Sequence, residues 1–192
     1  SKTIEQICEL NDDLTEKYLN GEEPALAELK AALRDATLKL KVFPVFCGAS
    51  FKNKGVQQLL DGVVDYLPSP FDIPSVTGMN PVKTEMEVEC HMKFDEPAAA
   101  LAFKLTTDPF AGSLTYIRVY SGQIKVGDQV YNPRTEKKER IQKIVKMHAN
   151  SREEVDVIMA GDIGAIIGLK FTTTGDTLCD SSRLVVFESI TF

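Results

Sequence analysis

The stretch Val42–Gly55, VFPVFCGASFKNKG, decides how the rest of the chain is read. An apolar run of strand type ends abruptly in small residues and then lysines, which places a polar, backbone-exposing loop at the C-terminal end of a strand. Open α/β sheets keep their ligand sites there. The segment that follows, VQQLLDGVVDYL, sets Val56, Leu59, Leu60, Val63, Val64 and Leu67 at the spacing of one buried helix face. The unit is strand, loop, helix.

Two helices are expected upstream. Ser1 to Asn20 reads as one helix, with Ile4, Ile7, Leu14 and Tyr18 near one face and Gly21 as its C-terminal cap. Glu22-Glu23-Pro24 opens the other, with Leu26, Leu29, Leu33 and Ala36 on one face. The first 70 residues thus form an α/β segment of two helices, a strand and a helix, stopped by Pro68-Ser69-Pro70. Residues 71–94, with Pro74, Gly78 and Pro81 and little periodicity, read as a linker.

From about Asp95 to the C-terminus the pattern changes to short alternating strands with frequent turns. Ala100–Thr106, Leu114–Tyr120, Gln129–Tyr131, Gln142–Met147, Ile163–Ile167 and Leu184–Phe187 are the candidate strands. Regular turn signals without helix pattern predict an all-β antiparallel barrel or sandwich over 95–192. Gly112, Gly122, Gly127 and Gly168 are expected at turns and bulges, and Ile163, Ile166, Ile167 and Leu169 in the barrel core.

Composition narrows the function. With 43% hydrophobic and 26% charged residues, the 192-residue chain has the make-up of a soluble globular protein with a sizeable core. No apolar stretch approaches membrane-spanning length, and the N-terminus lacks the basic start and apolar centre of a signal peptide. Cys8, Cys47, Cys90 and Cys179 form no CxxC pair, so reduced, buried thiols are expected rather than a zinc site or a disulfide framework. His91 and His148 have no carboxylate or cysteine arrangement in sequence that suggests catalysis or metal binding. The net charge of −6 argues against indiscriminate nucleic-acid binding. Its distribution is uneven, however: residues 95–192 carry 12 Lys and Arg against 13 Asp and Glu, with the basic residues bunched together.

The Val42–Gly55 strand and loop, with the KNKGVQ run at Lys52–Gln57, resemble the last guanine-binding motif of translational GTPases, most closely the elongation factor G family. Here the small pair is Ala49-Ser50, reversed relative to the family's usual Ser-Ala. The second half resembles domain II of the same family over DEPAAALAFKLTTDPFAGSLTYIRVYSGQIKVGDQVYN (Asp95–Asn132), KMHANSREEV (Lys146–Val155), AGDIGAIIGLK (Ala160–Lys170) and TTGDTLCD (Thr173–Asp180). The resemblance implies a cytoplasmic parent that binds GTP or GDP with magnesium and couples hydrolysis to movement of tRNA and mRNA on the ribosome. In that parent Ala49, Ser50 and Phe51 would form the guanine edge, chiefly through a backbone N–H on the guanine O6.

The sequence contains no GxxxxGK[ST] phosphate cradle and no DxxG turn, and Asn53-Lys54 has Val56 where NKxD requires an acid. The chain is therefore expected to be a fragment, inactive alone and without catalytic residues or a metal of its own. Lys52 and Lys54 are read as loop lysines. In the resembled family domain II lies against small-subunit ribosomal RNA, which makes Arg134, Lys137, Lys138, Arg140, Lys143, Lys146 and Arg152, with His148, the RNA-facing candidates; Lys and Arg supply phosphate attraction, and Glu136, Glu139, Glu153 and Glu154 dilute it. The alternatives are a related ribosome-associated GTPase, or a stand-alone RNA- or protein-binding barrel.

Overall fold

The computed structural model describes residues 2–73, 75–83, 85–108, 112–148 and 151–187, and these fall into two compact units, Ser1–Ser69 and Pro70–Phe192. The first unit holds α1 (Lys2–Cys8), α2 (Asp12–Leu19), α3 (Leu26–Leu38) and α4 (Val56–Tyr66). The single helix expected over Ser1–Asn20 is thus broken in two. Asn11 breaks it: its backbone is extended, and its Oδ1 accepts the N–H of Leu14 at 3.2 Å as an N-cap. Cys8, Leu14 and Ala32 form the buried centre of the helical cluster, with Ile4, Ile7 and Leu29 against them.

The apolar run before the loop behaves differently from its reading as a strand. Residues 42–48 make no ladder pairing with any strand among the described residues, and Phe43 and Val45 are 74% and 86% exposed. A strand exists only with a neighbour to satisfy its N–H and C=O groups, and this unit offers none. The α4 face is also open, with Leu60 and Val64 exposed, while Phe46 packs against Gly62.

The second unit is antiparallel throughout. Its strands are β1 (Val76–Met79), β2 (Glu87–Cys90), β3 (Ala99–Asp108), β4 (Gly112–Ser121), β5 (Gln123–Lys125), β6 (Gln129–Asn132), β7 (Lys137–Arg140), β8 (Lys143–His148), β9 (Ser151–Val155), β10 (Val157–Met159), β11 (Ile163–Ile167) and β12 (Thr177–Cys179). Eight of them make one sheet in the order β7-β6-β12-β3-β4-β11-β8-β9, and β1 pairs β2 and β5 pairs β10. The main core draws Ala102, Ile117, Ile124, Val130, Ile144, Ile158, Ile166 and Leu178 from eight different strands, so the sheet and the β5-β10 pair wrap one interior. Alternation explains it: on β4, Thr115, Ile117, Val119 and Ser121 point in and are fully buried.

Residues 71–94, read as a linker, carry β1 and β2, and Val88 and Cys90 join Ala99, Leu101, Cys179, Val185 and Phe187 in a second buried cluster. Leu184–Phe187, expected as a strand, contributes only the Met79–Val186 bridge, with both N–H···O bonds at 2.8 Å. Ile166 and Leu169 are core residues as expected, but Ile163 is half exposed. Gly122 shows why a glycine is needed at the β4-β5 turn: its φ is +69°, and an added Cβ would sit 2.4 Å from the Glu96 carbonyl oxygen.

Candidate nucleotide edge and RNA-facing surface

The loop after residue 48 is a closed ring. The Ala49 N–H donates to the Lys54 carbonyl at 2.9 Å and the Lys54 N–H returns to Ala49 at 3.1 Å, while Lys52 and Asn53 donate to Ala49 and Ser50 at 2.9 Å. Ser50–Lys52 is a single 3₁₀ turn, and Asn53 closes it in the left-handed region at φ 48°, which asparagine tolerates. Gly48 and Gly55 let the two arms touch: a Cβ on Gly48 would lie 2.7 Å from the Lys54 oxygen, and one on Gly55 3.0 Å from the Cys47 oxygen. Gly55 is also the N-cap of α4.

The ring leaves the Ser50 and Phe51 N–H groups out of its four hydrogen bonds, and the Phe51 side chain is fully exposed. A groove of about 210 Å³ runs beside them, lined by Phe46, Cys47, Ala49, Ser50, Lys54 and Leu59. That donor set suits the carbonyl edge of a planar base. Ala49, Ser50 and Phe51 are thus brought together by local chain geometry. Cys47 in the same loop is exposed, unlike the other three cysteines, because the run that carries it has no cover.

β7, with Lys137, Lys138 and Arg140, and the β8-β9 hairpin, with Lys143, Lys146 and Arg152, lie at opposite ends of the strand order and meet only through the Ile141-Gln142 corner. Within the hairpin each cation is paired: Lys143 with Glu154 at 2.5 Å, Lys146 with Asp162 at 3.0 Å, and Arg152 with Asp108 at 3.1 Å. His148 lies 3.2 Å from Glu153, and His91 2.9 Å from Glu96, so both histidines do have carboxylate neighbours, supplied by the β8-β9 pairing and by the turn after β2. Among the described residues no group of three or more His, Cys, Asp or Glu is placed to hold a metal.

Arg134 is partly exposed but held by a buried carboxylate. Its Nε and Nη2 grip the Asp176 carboxylate at 2.5 and 2.9 Å, and Nη2 also reaches Phe171 O and Thr173 Oγ1. Asp176, nearly fully buried, further accepts Asn132 Nδ2 at 2.9 Å and the Thr173 N–H at 2.8 Å. Burial pushes its carboxyl up, but the Arg134 guanidinium and the Thr173 and Asn132 donors outweigh that and hold it below the usual carboxylate range.

Lys138 and Arg140 make no ion pair among the described residues, and Lys137 lies over the Phe171 ring, 3.8 Å from its centroid. Lys170 and Phe171, absent from the sequence candidates, come next to β7 because the buried Glu139 binds the 170–172 turn. In sequence Glu139 is one charge among the four of KKER, and nothing there signals the contact.

Residues 112–179 match elongation factor Tu domain 2, so the second unit is a translation-factor β domain. A crystal structure of a Thermus thermophilus protein superposes with a TM-score of 0.68 at 26% identity, covering 94% of this chain and 24% of that one. Elongation factor G 1 from Bdellovibrio bacteriovorus is 67% identical over all 192 residues. The chain belongs to the elongation factor G family, and it spans 27% of the length of that relative.

Proposed function

We propose that the chain is the closing part of the guanine site and the adjoining domain II of a ribosomal translocation factor, whose whole length couples GTP hydrolysis to tRNA and mRNA movement in the cytoplasm. The observation that carries this is the 67% identity to elongation factor G 1, which runs through both the loop and the β domain. GTP or GDP supplies the base that the loop reads and, with magnesium, the phosphate charge. The Ser50 and Phe51 N–H groups beside the 210 Å³ groove fit the base edge, whereas the 192 residues contain no phosphate cradle, so triphosphate and metal fall to other segments of the parent. The role of the ring is positional. It presents backbone donors without depending on the side chain at 49 or 50, which is why Ala-Ser serves in place of Ser-Ala.

The test is made in the full-length parent. Gly48→Ala drives a Cβ against the Lys54 oxygen and opens the ring, so GDP is expected to lose its advantage over the analogue lacking O6, by roughly tenfold for one lost donor to a buried carbonyl. Undiminished discrimination by the variant overturns the assignment of the edge.

A further inference from the structure

On β2, Val88 and Cys90 turn inward, so Glu89 and His91, two residues apart, project from the same outer face. The His91 ring is held from behind. Its Nδ1 lies 2.9 Å from Glu96 Oε1, while Glu96 Oε2 accepts the His91 backbone N–H at 3.3 Å and Arg183 Nη1 at 2.7 Å. Arg183 is anchored in turn on Pro97 O at 2.6 Å and Ser121 Oγ at 2.5 Å. Burial pushes the Glu96 carboxyl up, but the Arg183 and His91 donors outweigh that and hold it below the usual carboxylate range, so Glu96 only accepts. A ring proton therefore sits on Nδ1, and in the neutral ring Nε2 presents its lone pair.

That lone pair faces a second acceptor, because Glu89 Oε2 is 3.5 Å from Nε2. Two acceptors turned on each other call for a cation between them. A proton on Nε2 would draw the carboxylate in to about 2.8 Å. Two ligand atoms each about 2.1 Å from one ion, at the tetrahedral angle, stand about 3.4 Å apart. The observed gap matches the second spacing.

We propose that His91 Nε2 and Glu89 form a surface site for a divalent transition ion of the zinc class, with Glu96 as the positioning residue behind the histidine. A carboxylate on the far nitrogen of a ligating histidine fixes its tautomer and raises its basicity, which is the arrangement of Glu96 and His91. An imidazole beside a carboxylate suits zinc, cobalt or nickel, whereas magnesium and calcium take oxygen ligands. The site is thus separate from the magnesium of the nucleotide. Water completes the shell, so the ion is held weakly and exchanges. Bound there, it ties the end of β2 through Glu96 and Arg183 to Ser121 at the end of β4. His148 lacks the frame: its Nε2 is 3.2 Å from Glu153, and no hydrogen bond orients its Nδ1 among the described residues.

Calorimetric titration of the chain with zinc chloride, in a Cys47→Ser background that removes the exposed thiol, tests this. A single ion is expected, and His91→Gln is expected to abolish its binding. Glu89→Gln and Glu96→Gln should each weaken it at least about tenfold, the loss that follows removal of an outer-shell partner. His148→Gln should leave it unchanged. Nitrogen NMR of the imidazoles separates positioning from folding: zinc is expected to shift His91 Nε2 and leave Nδ1 protonated, and Glu96→Gln to lower the share of rings with the proton on Nδ1 before zinc is added. Binding that survives His91→Gln, affinity that Glu96→Gln leaves unchanged, or a zinc shift on Nδ1 instead of Nε2 overturns the site, as does a wild-type chain that takes up no zinc. The Nε2 shift is read without substituting His91, Glu89 or Glu96, so it decides the question even where one of those substitutions costs the fold.

Discussion

Asp176→Asn should unsettle the β domain by an amount that its hydrogen bonds set. The substitution keeps shape but replaces one carboxylate oxygen by an NH₂ group, which accepts nothing. With the amide oxygen kept at the Oδ2 position, the bonds from Asn132, Thr173 N and Arg134 Nη2 survive in weaker, neutral-acceptor form, and the NH₂ group faces Arg134 Nε, another donor. A hydrogen bond to a charged group is worth about 1.5–3 kcal/mol. Arg134 is 55% exposed and can re-solvate, which keeps that loss at its lower end, and the weakening of the buried bonds adds about 1 kcal/mol. The total is about 2–3 kcal/mol, or roughly 10 °C in melting temperature for a unit of this size. The chain has no Trp, so unfolding in urea is followed by circular dichroism. The folded carboxyl lies below its ordinary value of about 3.9, so its stabilisation is fully present above that pH and is lost as pH falls through the folded value. The gap between wild type and variant should be constant from pH 7 to about pH 5 and close below about pH 4. A gap under about 0.5 kcal/mol at pH 7, or one that persists in strong acid, refutes the reasoning.

Gly122→Ala should cost at least about 2 kcal/mol, because φ is +69° and the new Cβ meets backbone at Glu96 and Ala98; an unchanged urea midpoint would show that the turn gives way freely. Arg34→Met should remove the guanidinium that lies 2.8 Å from Asp65 O and 3.4 Å from Val64 O and Leu67 O at the end of α4. Since the site is partly exposed the cost is about 1 kcal/mol, seen as faster amide exchange in the last turn of α4 alone.

What the sequence disclosed tracks how local the cause is. β4 was legible because alternation over its length fixes which face is buried, and β3 and β11 because each opens on or consists of a short apolar run bounded by turn residues. β7 and β9, KKER and SREEV, have polar side chains at nearly every position and become strands only because β6 and β8 pair with them. The β1-β2 hairpin escaped notice for a similar reason: four residues each, with β2 burying only Val88 and Cys90. At the nucleotide edge, the ring closes over six residues, so its existence was written in GASFKNKG. At the RNA surface, Glu139 and the 170–172 turn are more than thirty residues apart, and no periodicity carries such a contact. The strand reading of 42–48 failed in the opposite sense: the composition is right for a strand, and the pairing that would make it one is not among the described residues.

A count of basic residues in sequence is not a count of charges available to a polyanion. Lys143, Lys146, Arg152 and Arg134 already face Glu154, Asp162, Asp108 and Asp176. Moving one of these cations onto a phosphate gives up an ion pair that it already makes, so each adds less net attraction to a polyanion than an unpaired cation does. The seven candidates read from the sequence would give a slope of log affinity against log salt of about −5 to −6 if all were free. Lys138 has Asp180 near enough to join the Ser182 donors in lowering that carboxyl, so the two of them without a facing carboxylate, Lys137 and Arg140, together with Lys170, give about −2 to −3. Titration of the chain with a labelled RNA hairpin between about 50 and 200 mM salt separates these values. A slope near about −6 would mean that the ion pairs of the β8-β9 hairpin open when a polyanion binds.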